Sequence, residues 1–305
     1  MKLVCAIVVA VLVSGCASRH VIAVEAPDRP ATGTSKRHAD DSLETFIQKV
    51  RKISVEARPV QQRAATLEGQ DAALSSALAA SMLSPDVASY RRVASEYRRL
   101  GVFDRAFQYL GRALALSPHD GSTFEALARL WRDAGLPGLA LGDAHRAVFF
   151  APDSPGAHNT LGTVLQSLGK RTMARSEYEK ALRLDPRAAF ALNNLCYGWI
   201  LDGEGSQAIS ACQRALEIEP NLAAATNNLA LAYALEGDVA TAKQTFARTG
   251  DEASAAYNTG IAYLARRDYR SAMEAFQKAH AIRPTMNLAG ARARQSADAL
   301  ARAGE

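Results

Sequence analysis

Residues 187–220 have the sequence RAAFALNNLCYGWILDGEGSQAISACQRALEIEP, and their final proline belongs to a regular series. Prolines recur at equal intervals along the chain, at Pro118, Pro152, Pro186 and Pro220. A fifth, Pro284, follows after one full interval and one slightly shortened interval. A period of about 34 residues, as here, is typical of stacked helix–turn–helix units, because one such unit cannot bury its apolar face alone. The chain is therefore expected to be an all-α solenoid.

Small and large residues recur at fixed positions when the proline of each unit is numbered 32. Position 20 is always alanine: Ala106, Ala140, Ala174, Ala208, Ala242 and Ala272. Position 8 is always small: Ala94, Ala128, Gly162, Cys196, Ala230 and Gly260. The turn between helices holds glycine in five units, where a positive φ ends a helix: Gly101, Gly135, Gly169, Gly203 and Gly237. Small residues at regular positions indicate helix pairs whose backbones cross closely.

On these positions the chain resembles the tetratricopeptide-repeat family across residues 87–286. The resemblance implies six repeats of antiparallel helix pairs, wound into a superhelical solenoid. Residues 41–86 are expected to form N-terminal helices with a degenerate repeat. Its core positions are assigned to three alanines: Ala73, Ala77 and Ala80. Residues 287–305 are rich in Ala and Arg and predict the solvated capping helix that an open solenoid end requires.

The N-terminus has the pattern of an exported, lipid-anchored protein. Lys2 precedes an apolar run over residues 3–13, too short to span a bilayer but typical of a signal peptide. The run leads into Ser14-Gly15-Cys16, which resembles the lipobox of bacterial lipoproteins. We therefore expect residues 1–15 to be a signal peptide and Cys16 to be acylated. An ordinary signal peptide that contains a cysteine is the alternative.

The residues after Cys16 predict where the repeats are held. Ala17 stands where an aspartate usually means retention in the inner membrane, which favours the outer membrane. Residues 16–40 hold Pro, Thr, Ser and Gly without periodicity and predict a disordered tether. Such a tether reaches roughly 25–30 Å. The repeats are thus expected in the periplasm, close to the outer membrane.

Composition and motifs indicate binding rather than catalysis. The 305 residues carry a net charge of +5, without the basic stripe and interleaved aromatics of a nucleic-acid binder. No metalloprotease, P-loop or serine-hydrolase motif is present. Residues 203–208 match a dinucleotide fingerprint, but they lie between two predicted helices rather than after a strand. No enzyme activity, cofactor or metal is expected.

Cys196 and Cys212 occupy positions 8 and 24 of one repeat. Those positions are near the same height on antiparallel helices, so a disulfide is geometrically possible, and an exported protein meets an oxidising compartment. Two separate thiols packed in the core are the alternative.

A row of asparagines predicts a binding surface. In the family, the first helix of each repeat lines the concave face, and positions 5 and 6 are exposed on it. These positions hold Asn159, Asn193, Asn194, Asn227, Asn228 and Asn258. An amide carries donor and acceptor together, so amides free of intramolecular partners could hold the backbone of an extended peptide. Exposed asparagines that only contact water are the alternative.

Other side chains extend this predicted surface. Tyr197 and Tyr257 lie beside the asparagines and would contact apolar side chains of the peptide, as would three more: Phe190, Leu231 and Ile261. Arg91 and Arg98 belong to a basic N-terminal end that suits an acidic partner segment. A solvated charged face is the alternative there.

A lipobox, a tether and a repeat array together resemble bacterial assembly lipoproteins, and among them the TadD type of tight-adherence (Tad, Flp) pilus systems. The stretch NNLALAYALEG over residues 227–237, followed by a shortened repeat, adds to this resemblance. It implies a scaffold that helps a secretin or pilus component to assemble in the outer membrane. A pilotin of type IV pili and an adaptor for cell-wall hydrolases are the alternatives.

Overall fold

The computed structural model describes residues 69–248 and 251–303. The predicted signal peptide, Cys16 and the tether lie outside these residues, as does most of the segment 41–86. Fourteen helices are described: α1 Ala72–Leu83, α2 Val87–Arg99, α3 Phe103–Leu116, α4 Gly121–Asp133, α5 Pro137–Phe150, α6 Pro155–Ser167, α7 Arg171–Leu184, α8 Ala189–Asp202, α9 Gly205–Ile218, α10 Ala223–Leu235, α11 Val239–Ala247, α12 Glu252–Ala265, α13 Tyr269–Ile282 and α14 Asn287–Ala303.

The helices from α2 to α13 pack as six consecutive pairs, and α14 packs on α13. No strand occurs in the described ranges, so the predicted all-α repeat fold is confirmed. The alanine at position 20 is at most 1 % exposed in all six pairs. The shortened repeat is shortened in its second helix, because α11 has 9 residues where the second helices of other pairs have 14.

Close helix crossings explain the small residues at position 8. A Cβ atom on Gly162 would lie 2.5 Å from the ring of Tyr178, and one on Gly260 would lie 2.6 Å from the ring of Phe276. These rings are fully buried between the helices of their pairs. A larger residue at position 8 would displace a ring from a densely packed core.

The turns inside the pairs adopt the left-handed conformation that the glycines predict. All five turn glycines have φ between 73° and 96°. The sixth pair has Arg267 in the same conformation, with φ 62°. A side chain is disfavoured there, so this turn carries a small cost that the glycine turns avoid.

The burial pattern of helix α1 differs from the core positions that were predicted for the degenerate repeat. Its fully buried residues are Leu74, Ala77 and Ser81, whereas Ala73 is exposed and Ala80 is only partly buried. Alanines lie on several faces of α1, so their spacing alone did not identify the inner face. Burial of the large Leu74 side chain sets the orientation instead, because it removes more apolar surface from water.

Helix α14 covers the last pair with a stripe of small residues. Ala289, Gly290 and Ala293 face α13, while the outer side carries the exposed Arg294 and Asp298. A polar outer face lets the array end in water. Within residues 69–248 and 251–303, no helix is long and apolar enough to cross a membrane.

Candidate binding groove

The predicted asparagines bond to one another across the repeat junctions. In each case a position-6 amide donates a hydrogen bond to the position-5 side chain of the preceding repeat. The pairs are Asn194 Nδ2 to Asn159 Oδ1 at 2.8 Å, Asn228 Nδ2 to Asn193 Oδ1 at 3.0 Å and Asn258 Nδ2 to Asn227 Oδ1 at 3.4 Å. A similar bond, from Thr160 Oγ1 to Glu125 Oε1 at 3.0 Å, precedes them. We call these four contacts the inter-repeat rungs.

The rungs correct the expectation that the amides have no intramolecular partner. Asn159, Asn227, Asn228 and Asn258 are at most 7 % exposed, while Asn193 and Asn194 are partly exposed. First helices of successive repeats pack side by side, so position 5 of one repeat meets position 6 of the next. The amides therefore join the repeats, and only the Asn228 Oδ1 atom of the described rung asparagines is buried without a hydrogen-bond partner.

Tyr257 is a core residue rather than part of a binding surface. It is 1 % exposed, and its ring lies 5.3 Å from that of Phe276. Burial raises the pKa of its hydroxyl. Phe276 is itself fully buried, and Gly260 leaves space for its ring. Leu231 and Ile261, also expected beside the asparagines, are buried in the same cluster.

Tyr197 is partly buried on α8, and burial raises the pKa of its hydroxyl against the opposing attraction of Arg171. It is not on the wall of the large cavity that α8 shares with the preceding repeats. Arg91 forms an ion pair with Asp120 at 3.3 Å. It lines a smaller cavity of about 240 Å³ near the N-terminal end of the array.

A larger cavity of about 790 Å³ lies along the first helices of the first four repeats. Among the predicted site residues, four line it: Arg98, Asn159, Phe190 and Asn194. The smaller cavity shares Arg98, Glu125 and Arg129 with it, so the two form one continuous depression. We call this depression the groove.

Three arginines form one wall of the groove. Asp133 accepts ion pairs from Arg98 and from Arg132, the latter at 2.8 Å. Arg129 pairs with Glu125, and its Nε donates to Thr160 at 3.0 Å. Two carboxylates thus serve three guanidiniums, which leaves this wall with a surplus positive charge and further N–H donors.

The cations of this wall also crowd one another. The pKa of Arg129 lies below its ordinary value, first because burial disfavours the charged form. Attraction from Glu125 and Asp133 opposes this shift, while the like charges of Arg98 and Arg132 add to it. An additional negative charge near this wall would therefore be stabilised.

Phe190 lines the groove at the start of α8 and is 42 % exposed. It occupies position 2, which is small in the other five repeats: Ala88, Ser122, Gly156, Ala224 and Ser254. This contrast is visible in the sequence, and it favours Phe190 over the asparagines as a candidate binding residue. Thr163, which accepts a hydrogen bond from Arg132 Nη1 at 2.7 Å, had no comparable signal.

Cys196 and Cys212 form a disulfide that joins α8 to α9, with a Cα–Cα distance of 5.4 Å. Both residues are fully buried. The bridge therefore fixes the two helices of the repeat that carries Phe190 and Asn194. No group of three His, Cys, Asp or Glu side chains able to hold a metal occurs within residues 69–248 and 251–303.

Comparison with known proteins identifies the repeats. Models of the tetratricopeptide repeat match residues 155–187 and 211–244. A search of curated proteins gave no significant match.

Solved structures share the fold at low sequence identity. A chain of the APC/C hetero-tetramer Cut9–Hcn1 is 17 % identical with a TM-score of 0.61, over 72 % of this chain and 45 % of that one. PilW, described as a widely conserved type IV pilus biogenesis factor, is 20 % identical with a TM-score of 0.56, over 65 % of this chain and 94 % of that one. PilF from Pseudomonas aeruginosa is 18 % identical with a TM-score of 0.54, over 68 % and 95 %.

Identities this low establish a common fold only, and the same fold occurs in proteins with unrelated roles. The two matched segments, the period of the prolines and the six helix pairs all indicate the same repeat. The chain therefore contains tetratricopeptide repeats.

Proposed function

We propose that this protein is a lipid-anchored scaffold of the bacterial outer membrane, which binds protein partners in its groove during assembly of a Tad/Flp pilus or a related secretion system. The observation that carries the binding role is the cavity of about 790 Å³, where arginines, amides and the exposed Phe190 line one surface. Large cavities that combine an apolar contact with a few convergent polar groups are typical of binding sites.

The anchor rests on the sequence around Cys16. Ser14-Gly15-Cys16 follows an apolar run of signal-peptide length, and a tether-like segment of residues 16–40 separates it from the repeats. Acyl chains on this cysteine would hold the scaffold at the membrane, with the groove in the periplasm.

The pilus role rests on the resemblance to TadD-type lipoproteins. PilW and PilF, which share the fold, are pilus proteins by their own description or name, and this agrees with the proposal without establishing it. A pilotin of type IV pili is the second candidate, because it would combine the same fold with a location at the outer membrane.

Complementation in the bacterium that carries the gene tests the proposal. A deletion strain receives the wild-type chain, Cys16→Ser, Phe190→Ser or the control Phe149→Ser, whose side chain is 77 % exposed on the second helix of a repeat. We expect surface pili from the wild type and the control, and few or none from Cys16→Ser and Phe190→Ser. Membrane fractionation should find Cys16→Ser released and the other chains in the outer membrane.

Cys16→Ser that stays firmly in the outer membrane would contradict the lipid anchor. Normal pili in the deletion strain would contradict the pilus role. Loss of type IV pili, rather than of Tad/Flp pili, in the deletion strain would favour the pilotin alternative.

A further inference from the structure

The groove has two chemically different ends that a single partner segment would contact together. Arg98, Arg129 and Arg132 lie on one wall, and Phe190 and Pro155 lie on the same cavity nearer its C-terminal side. We propose that the groove binds an extended segment of a partner protein in which an Asp or Glu side chain lies close to a large apolar side chain. This rests on the proposed function as a protein-binding scaffold and names the chemistry of its partner.

The acidic residue would pair with the arginine wall. Three guanidiniums carry fifteen N–H donors, and the contacts to Asp133, Glu125, Thr160 and Thr163 use only some of these. A carboxylate from the partner would accept bidentate, charge-assisted hydrogen bonds there. It would also balance the surplus charge on this wall, where three cations share two carboxylates.

Asp185 sets the orientation of the bound segment along the groove. It lines the same cavity as Phe190, on the side away from the repeat that carries Arg98. A carboxylate of the partner is repelled at Asp185 and attracted at Arg98 and Arg132, so it would lie toward the N-terminal repeats. The apolar side chain would then lie toward Phe190.

Phe190 would contact the apolar residue. An aromatic ring that is 42 % exposed beside a polar cavity gains by covering its face with another apolar group. The small residues at position 2 of the other repeats cannot make this contact, so the site for the apolar residue is confined to the fourth repeat.

The partner backbone would bond to the amide rung on the cavity wall. The rung uses one N–H of Asn194 and one lone pair of Asn159, and an amide has two donors and an acceptor with two lone pairs. The cavity and its smaller neighbour together run along the first helices of the repeats, as an extended chain requires.

Selection of short random peptides on the purified full chain tests this inference. The peptides carry a C-terminal amide when resynthesised, so that only Asp and Glu side chains supply carboxylates. We expect the selected peptides to share an acidic residue a few positions from a large apolar one. Replacing that acid by its amide, or the apolar residue by serine, should weaken binding about tenfold or more.

Variants of the protein test the two contacts separately. Arg98→Gln should lose affinity for the acidic parent peptide, and the difference in affinity between the parent and the amide-substituted peptide should become smaller than in the wild type. Phe190→Ser should lose affinity about tenfold. The matched controls Arg183→Gln and Phe149→Ser, both exposed and outside the groove, should bind like the wild type.

Two outcomes overturn the inference. Selected peptides without an acidic residue would do so, and so would equal losses in Arg183→Gln and Arg98→Gln, which would mean attraction to the net charge alone. Arg98→Gln loses the ion pair with Asp133. If this variant is unstable, binding of the substituted peptides to the wild-type chain still tests the inference. Peptides that behave as expected, in a protein whose deletion leaves pili intact, would support the groove and reject the pilus role.

Discussion

Asn159 and Asn194 lie on successive repeats and meet through one amide–amide hydrogen bond of 2.8 Å. Asn159 is 7 % exposed, so the loss of its partner would leave a buried acceptor without a hydrogen bond. An unsatisfied buried polar group costs about 1–3 kcal/mol, more than the bond itself contributes. At this scale the asparagines stabilise the junction between repeats.

A double-mutant cycle on this rung measures its contribution. We expect Asn159→Ala and Asn194→Ala each to lower the free energy of unfolding by about 1 kcal/mol, with a coupling energy of about 0.5–1.5 kcal/mol between them. Urea unfolding followed by circular dichroism provides the values. Asn221→Ala, at an exposed position outside the rungs, is the control and should change little. A coupling energy near zero would mean that the amides bond to water instead.

The sequence predicted the row of asparagines but not their partners. The period fixes which residues occupy positions 5 and 6, whereas the rung joins position 5 of one repeat to position 6 of the next. That contact depends on how closely two first helices approach, and this distance cannot be inferred from the residues of a single repeat. Tyr257 was misplaced for a related reason, since its ring packs against Phe276 on the second helix of the pair, a contact that the period of the sequence does not reveal.

At the scale of helices and links, His158 holds the third repeat to the link before it. Its Nδ1 lies 2.7 Å from Glu177 Oε2 on α7, and its Nε2 lies 2.9 Å from the carbonyl oxygen of Pro152. Lys180 adds a further hydrogen bond to Glu177 at 2.7 Å.

The stability contributed by Glu177 should depend on pH. Burial acts to raise the pKa of this carboxyl, but hydrogen bonds from His158 and Lys180 outweigh it and hold the pKa below its ordinary value. A carboxyl whose pKa is lowered by folding stabilises the protein above its unfolded pKa of about 4.3, and the contribution disappears as pH falls through the folded value.

We therefore expect Glu177→Gln to be less stable than the wild type at pH 7, by about 1–3 kcal/mol. This difference should shrink steadily as the pH is lowered below about 4.3. Thermal melts of both proteins across this range provide the measurement. Glu179→Gln, at an exposed position on the same helix, should match the wild type throughout. A difference that persists unchanged in acid would show that packing, not charge, is responsible.

The disulfide acts on the same scale, within the fourth repeat. Cys196 and Cys212 are 16 residues apart in sequence, and closing a loop of this size stabilises a protein by about 3 kcal/mol. We expect the double change Cys196→Ala and Cys212→Ala to lower the free energy of unfolding by roughly this amount. A reducing agent should destabilise the wild type and leave the double variant unchanged. Equal sensitivity of the two proteins would mean that the bridge does not form in solution.

At the scale of the whole molecule, the array follows from one physical requirement repeated six times. Each pair needs small residues at positions 8 and 20 and a left-handed turn between its helices, and these needs recur with the period of the prolines. The sequence therefore predicted the all-α solenoid from its period alone. The groove was harder to predict, because its walls combine residues from four repeats: Arg98, Arg132, Asn159 and Phe190 come together only after the repeats have stacked.

The central claim is that a partner protein binds in this groove, and site-specific photocrosslinking in living cells tests it most directly. A photoreactive p-benzoylphenylalanine replaces Phe190 in one strain and Phe149, outside the groove, in another. We predict that light will link the chain to a specific envelope protein from position 190 and not from position 149, and that Arg98→Gln will weaken the link. Crosslinks that are absent at position 190, or equal at both positions, would contradict the claim.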